Sequence, residues 1–283
     1  MIHQGEFQRG VSCLYLRPLA RRFETRDETL KKALKAALVT GGAKRIGKAI
    51  VEDLAAHGFA VAIHANGSLD EAEALAVSLG KNGTIAVAVK ADLTDTRETL
   101  ALMAQVNAAL GPIDVIVNNA SLFKKDSLDA FDETVWDRHF ALHVKAPSLL
   151  ASDFARQLPR GMSGLVVNVI DQRVWSPNPR FYSYMLSKSA LWTATQTMAQ
   201  ALAPDIRVNG IGPGPTLPNE RQDPRDFQAQ VDAVILKRGP ALDEFGRTIR
   251  FLYDTPSITG QMIALDGGQH LAWETPDIRE IVE

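Results

Sequence analysis

Tyr184 and Lys188 stand four residues apart, a spacing that puts a phenol and an ammonium on one face of a helix. A free tyrosine ionises near pH ~10, too high for ready proton exchange at neutral pH, and a neighbouring ammonium favours the phenolate. The pair has the makings of a general acid, although the same spacing also occurs as a plain surface pair. Upstream, within Val169-Ile170-Asp171-Gln172, stands Asp171. A carboxyl group there can relay a proton or accept bonds from an amino-substituted ring.

A second chemical feature lies near residue 40, in Leu38-Val39-Thr40-Gly41-Gly42-Ala43-Lys44-Arg45-Ile46-Gly47. An apolar strand there runs through a glycine turn into a helix carrying Ile50 and Leu54. Glycines permit a tight turn and close backbone approach to a pyrophosphate, whose charge the unpaired N–H groups of a helix start stabilise. Where a site for a non-phosphorylated dinucleotide places Asp or Glu after the second strand, this chain reads His64-Ala65-Asn66-Gly67-Ser68. The absence of a carboxylate there, with Lys44 and Arg45 in the turn, suits a 2′-phosphate and hence NADPH/NADP. The competing reading of the two cations is a solvated helix start.

The elements that must position these groups alternate in type. Short apolar runs at 37–40, 60–64, 85–89, 113–117, 165–169, 206–209 and 262–265 are separated by helix-length segments, which predicts seven parallel strands. Leu100, Met103, Asn107 and Leu110 mark one helix, and residues 190–203 mark another. Right-handed crossovers then give an α/β Rossmann fold, a doubly wound seven-stranded parallel sheet in a single domain. Gly212, Pro213, Gly214, Pro215 and Pro218 break regularity after the sixth strand, and the polar stretch 219–226 continues as a loop placed to cover a substrate or simply to run over the surface.

Composition narrows the remaining classes. With 283 residues, 46% hydrophobic and 23% charged, the chain reads as an ordinary globular protein of one large domain over 36–283, preceded by an N-terminal extension over 1–35 to which no role is assigned. A formal charge of −2 with no basic stripe points away from nucleic acid. No apolar run approaches the roughly 20 residues of a membrane span, and no hydrophobic signal core opens the chain, so no membrane partner is expected. Cys13 is the only cysteine, which rules out an internal disulfide, offers no metal-ligand spacing and suits the reducing cytoplasm.

The ordered motifs resemble the short-chain dehydrogenase/reductase family: the turn from Thr40 to Gly47, Asp92 after the third strand, Asn118-Asn119-Ala120 after the fourth, Tyr184 with Lys188, and Gly212-Pro213-Gly214 after the sixth. The cofactor-binding set so implied is Gly41, Lys44, Arg45, Ile46, Gly47, Asn66, Ser68, Asp92, Leu93, Asn119, Ala120, Ser121, Lys188, Pro213 and Gly214. In it Asp92 would bond the adenine, Asn119 would sit by a ribose and Lys188 would hold the nicotinamide ribose. Asp171 departs from the family, most members of which carry a serine there to bond a substrate carbonyl. Pteridine reductases of the family are similar to this chain in that aspartate, in Thr40-Gly41-Gly42-Ala43-Lys44-Arg45, in Ser121 after Asn-Asn-Ala, and in Phe123, which in that subfamily sandwiches a pterin against the nicotinamide. Phe123 as a plain core residue is the alternative. His143 replaces the family's relay asparagine, as in the similar dihydromonapterin reductases, and reads either as a relay or as a structural histidine.

The resemblance implies hydride transfer to the C=N bond of a dihydropterin, with Tyr184, Lys188 and Asp171 catalytic and Phe123, Asp171 and Tyr184 at the substrate. The alternatives are a reductase of a small ketone, sugar or acyl compound, and a dinucleotide-binding protein without turnover. Members of the family commonly pair long helices in tetramers, so a homotetramer is the implied assembly.

Overall fold

The computed structural model describes residues 35–218 and 223–273; residues 1–34, nearly all of the expected extension, lie outside the described residues. The strands are β1 (Lys35–Val39), β2 (Phe59–Ala65), β3 (Ala86–Lys90), β4 (Val115–Asn118), β5 (Gly164–Val169), β6 (Ile206–Pro213) and β7 (Met262–Leu265). They pair in parallel in the order β3-β2-β1-β4-β5-β6-β7, so the seven-stranded doubly wound sheet is as the alternation predicts. The order reverses at β1 and β4, which opens a crevice beyond their carboxyl ends.

The helices are α1 (Arg45–Ala56), α2 (Leu69–Lys81), α3 (Thr96–Leu110), α4 (Glu133–Phe140), α5 (Ala146–Gln157), α6 (Tyr182–Leu202), α7 (Pro224–Ala233) and α8 (Leu242–Asp254). A π-helical turn, Ala141–Lys145, joins α4 to α5. Because successive strand side chains point to opposite faces, Ala37, Val39, Val61, Ile63, Val115 and Val117 pack with α1 and α8. Their neighbours Ala36, Leu38, Ala60, Ala62 and Ile116 pack with α3 and α5 on the other face.

Three local expectations need correction. The buried stripe of α3 is Thr99, Leu102, Met103 and Val106, whereas Leu100 is exposed. The α6 helix starts at Tyr182, well before residue 190, because its polar first turns are buried and held by partners from other elements. Gly212 and Pro213 belong to β6, and the polar stretch after it already enters α7 at Pro224.

On the α1 and α8 side, Gly246 lets the two helices touch. A Cβ at that position would lie 2.3 Å from Asp53 Cβ. Asp53 also receives Arg250 through Nε at 2.8 Å and a second guanidinium nitrogen at 3.3 Å, a two-pronged pair that fixes the helix register. Gly246→Ala should force these helices apart and cost about 1–3 kcal/mol of stability. A thermal melt of the variant at wild-type Tm would show that the contact yields freely.

Candidate active site

At the carboxyl edge of β1 the chain turns at Gly41 and enters α1. A Cβ at Gly47 would lie 2.1 Å from the Gly41 carbonyl oxygen, so only glycine lets the turn close on the helix start. The turn is held from three sides. His64 of β2 accepts the Gly41 N–H at Nδ1 (3.1 Å), and its other ring nitrogen donates to the Ala91 carbonyl at 3.0 Å. Burial lowers the His64 pKa, so the ring is neutral, as these roles require. Thr40 Oγ1 accepts the N–H groups of Asn119 and Ala120, each at 3.0 Å. The Asn119 carboxamide donates to the carbonyls of Thr40 (2.9 Å) and Gly41 (3.0 Å), so it braces the turn. At the start of α1 no side chain caps the N–H groups and no acidic residue occupies the first turn. Those donors face a cleft of about 640 Å³ bordered by Gly41, Lys44, Arg45, Ile46 and Gly47. Uncapped donors at a helix start suit the pyrophosphate of a dinucleotide.

The same cleft is bordered by Asn119, Ala120, Ser121, Phe123, Asp171, Tyr184, Lys188, Pro213 and Gly214. It therefore brings together most of the sequence-derived site. Asn66, Ser68, Asp92 and Leu93 lie apart from this cavity, after β2 and β3. Asp92 accepts from the Thr94 N–H (2.8 Å) and hydroxyl (2.7 Å), which hold its carboxyl below the ordinary range. Leu93 packs in the α3 and α5 core.

The two turn cations diverge. Lys44 pairs with Glu71 at 2.7 Å, both half-exposed, so the first turn of α2 supplies a carboxylate close to the place where the sequence between β2 and α2 offers none. Arg45 spans to the loop after β6, donating to the carbonyls of Pro218 (3.0 Å) and Leu217 (3.3 Å).

The Tyr184 hydroxyl donates to Asp171 Oδ2 at 2.9 Å, and Asp171 Oδ1 accepts the Arg173 N–H at 2.9 Å. Burial, then the charge and hydrogen bond of Asp171, raise the tyrosine well above its usual pKa. This corrects the expectation that Lys188 governs that value and lowers it. The Lys188 ammonium donates to the Val169 carbonyl at 2.8 Å and lies 5.8 Å from the Tyr184 ring centroid. Burial lowers Lys188 to about 8, against the opposing pull of Asp171.

Phe123 stacks on Phe181 (centroids 4.1 Å apart) and meets Tyr184 edge-on at 4.7 Å, forming an aromatic wall beside the hydroxyl. Phe181 is a wall residue that the sequence reading did not single out. It sits at φ +56°, a costly backbone for an aromatic residue, immediately before α6. Asp126, also missed, holds the start of α6 by accepting the Ser183 N–H (3.0 Å to Oδ2). These partners are far apart in sequence, and no local signature marks them.

Comparison with known proteins places this geometry. The family model for short chain dehydrogenases matches residues 35–228. FolM alternative dihydrofolate reductase 1 from Brucella canis, complexed with NADP, is similar at 60% identity and a TM-score of 0.83, over 87% of this chain and 98% of that one. Its counterpart from Brucella suis, also in complex with NADP, gives 61% and 0.84 over 86% and 98%. The 3-oxoacyl-[acyl-carrier-protein] reductase FabG of Staphylococcus epidermidis is 30% identical over 244 residues, which is 84% of this chain and 99% of that protein. A match running from β1 into α7, with the glycine turn, Tyr184 and Lys188 gathered at one cleft, makes this chain a member of the short-chain dehydrogenase family.

Proposed function

We propose that the protein is an NADPH-dependent reductase acting on the C=N bond of a dihydropterin-type substrate. The observation that carries this reading is the 2.9 Å bond from Tyr184 to Asp171 beside the Phe123 wall. A carboxylate at that place can pair with an amino-substituted ring, which a serine serves less well. The similarity to the NADP-complexed alternative dihydrofolate reductases supports both the cofactor and the substrate class. The similarity to FabG favours a second reading, reduction of a carbonyl compound, but Asp171 stands where that chemistry calls for a carbonyl-polarising hydroxyl.

Bound NADPH supplies the hydride to the electron-poor carbon of the substrate. The uncapped start of α1 would hold the pyrophosphate, Lys188 would hold the nicotinamide ribose, and Asp92 would bond the adenine. Lys44, paired with Glu71 in the free protein, would hold the 2′-phosphate together with Asn66 and Ser68. Tyr184 retains its proton across the neutral range and passes it to the substrate nitrogen. Asp171 aims the hydroxyl and orients the ring, and water entering the cleft restores the proton. The Lys188 charge compensates the phenolate left behind.

The catalytic unit in this reading spans residues 36–283, residues 1–35 are an appended extension, and the protein works in the cytoplasm as a homotetramer. The compartment reading rests on the single cysteine, and the assembly on family likeness. A solution mass by light scattering should be four times that of the chain, and a monomer would refute the assembly.

Supplied with dihydromonapterin, dihydrobiopterin or dihydrofolate, the purified protein should oxidise NADPH. Tyr184→Phe should lower kcat about a hundredfold or more while NADPH still binds. Asp171→Ser should lose pterin turnover selectively. Turnover of a simple ketone alone would favour the carbonyl reading instead.

The lowered Lys188 pKa also fixes a pH dependence. Below about 8 the group is an ammonium that attracts the dinucleotide, and the attraction is lost as pH rises through that value. A profile of kcat/KM for NADPH should therefore fall by about tenfold per unit above this point. A profile flat to pH ~10, the range of an unperturbed lysine, would remove Lys188 from that role.

A further inference from the structure

His139 on α4 and His143 on the π turn face Ser183 and Ser187 on α6, and the four side chains make two parallel rungs. His139 Nδ1 lies 2.7 Å from Ser183 Oγ, and His143 Nδ1 lies 2.8 Å from Ser187 Oγ. The rings are 5.4 Å apart and nearly parallel, and all four residues are buried. Their outer nitrogens grip the chain on either side of Phe123. The Leu122 N–H donates to His143 Nε2 at 3.2 Å, and the Lys124 N–H donates to His139 Nε2 at 3.4 Å.

These contacts fix the state of the His143 ring. Nε2 accepts the Leu122 N–H and also lies 3.0 Å from the hydroxyl of Ser121 at the cleft edge, so the ring proton is on Nδ1 and is donated to Ser187 Oγ. Ser187 in turn donates to the Tyr184 carbonyl at 2.8 Å, closing the chain of bonds with every group used. Burial, together with the Lys188 charge, holds His143 well below the ordinary histidine range, consistent with a neutral ring. The ring thus meets the cleft edge through the Ser121 hydroxyl at Nε2, while its Nδ1 proton is committed to Ser187.

We propose that His139 and His143 are positioning residues: with Ser183 and Ser187 they form a ladder that sets the distance and angle between the Phe123 wall and Tyr184. Both functional side chains are bracketed by it. Phe123 lies between the two gripped N–H groups, and Tyr184 lies between the two serines. The Tyr184 ring also rests edge-on against both imidazoles, at 6.0 Å from His139 and 5.5 Å from His143. A π turn, which adds a residue to the helical repeat, is a device for directing a side chain such as His143 out of the regular register.

The role in turnover rests on the reductase reading, whereas the clamp itself does not. The test is therefore double, on His143→Asn and on the milder Ser187→Ala, each saturated with NADPH. Amide hydrogen exchange at Leu122 and Lys124 should accelerate by about tenfold or more in His143→Asn, because its shorter side chain cannot reach the Leu122 N–H. Misplacing the wall against the hydroxyl should raise the dihydropterin KM and lower kcat, together costing about tenfold to a hundredfold in kcat/KM, and Ser187→Ala, which leaves the Ser121 contact of His143 in place, should do so with the Kd for NADPH unchanged. His143→Gln, which restores an acceptor near the Nε2 position, should recover part of both losses. Exchange at wild-type rates would overturn the clamp. A lowered Tm with kcat and KM intact would overturn the positioning role, leaving only a packing contribution. Failure of the reductase reading would show separately, as wild-type protein that turns over no dihydropterin while the exchange result stands.

Discussion

The hydrogen bond from Tyr184 to Asp171 joins two residues that no single element can hold together, and much of the surrounding architecture serves to fix its two ends. Asp171 leaves the sheet just after β5, while Tyr184 lies in the first turn of α6, so the contact depends on where that helix begins. A helix start that is buried must find partners for its N–H groups. Here the residue before α6 contributes no side-chain cap, and the carboxylate of Asp126 supplies one from a distant loop. The helix is thus seated from outside, at the end where the chemistry lies.

Behind the contact, one chain of buried polar side chains links two strands to α6 through the apolar interior. Asn118 on β4 donates to Asn168 on β5 at 2.8 Å, and Asn168 donates to Thr195 on α6 at 2.9 Å. Each such bond is worth only about 1 kcal/mol net, but an orphaned partner would cost about 1–3 kcal/mol, which makes the alignment of strand and helix hard to shift. The same argument covers His64 under the glycine turn.

The sequence was informative where chemistry depends on local spacing and silent where it depends on long-range seating. The parallel sheet, the glycine turn and the Tyr184 and Lys188 face are legible because strand alternation, turn geometry and helical repeat are short-range. The sign of the Tyr184 shift is not legible. Spacing suggested a lysine-lowered phenol, but burial and the Asp171 contact, invisible before folding, outweigh a charge that sits below the ring. The partners of the first turns of α6 are likewise not legible, since the buried histidines that meet Ser183 and Ser187 and the Val169 carbonyl that meets Lys188 come from elements distant in sequence.

Charge at the adenosine end illustrates why a missing carboxylate is a weaker signal than it looks. The stretch between β2 and α2 contains no acid, yet Glu71, one turn later, reaches back to Lys44 at 2.7 Å. The pair is half-exposed, so it is screened by water and easily exchanged for a stronger partner. A phosphate dianion would offer Lys44 more charge than one carboxylate does, so a 2′-phosphate would compete with Glu71 for the lysine. Arg45 is less available, because its guanidinium is committed to the carbonyls of Leu217 and Pro218. In the proposed reading the preference for the phosphorylated dinucleotide therefore falls mainly on Lys44 and on the neutral side chains of Asn66 and Ser68, while Arg45 ties the glycine turn to the loop that borders the cleft.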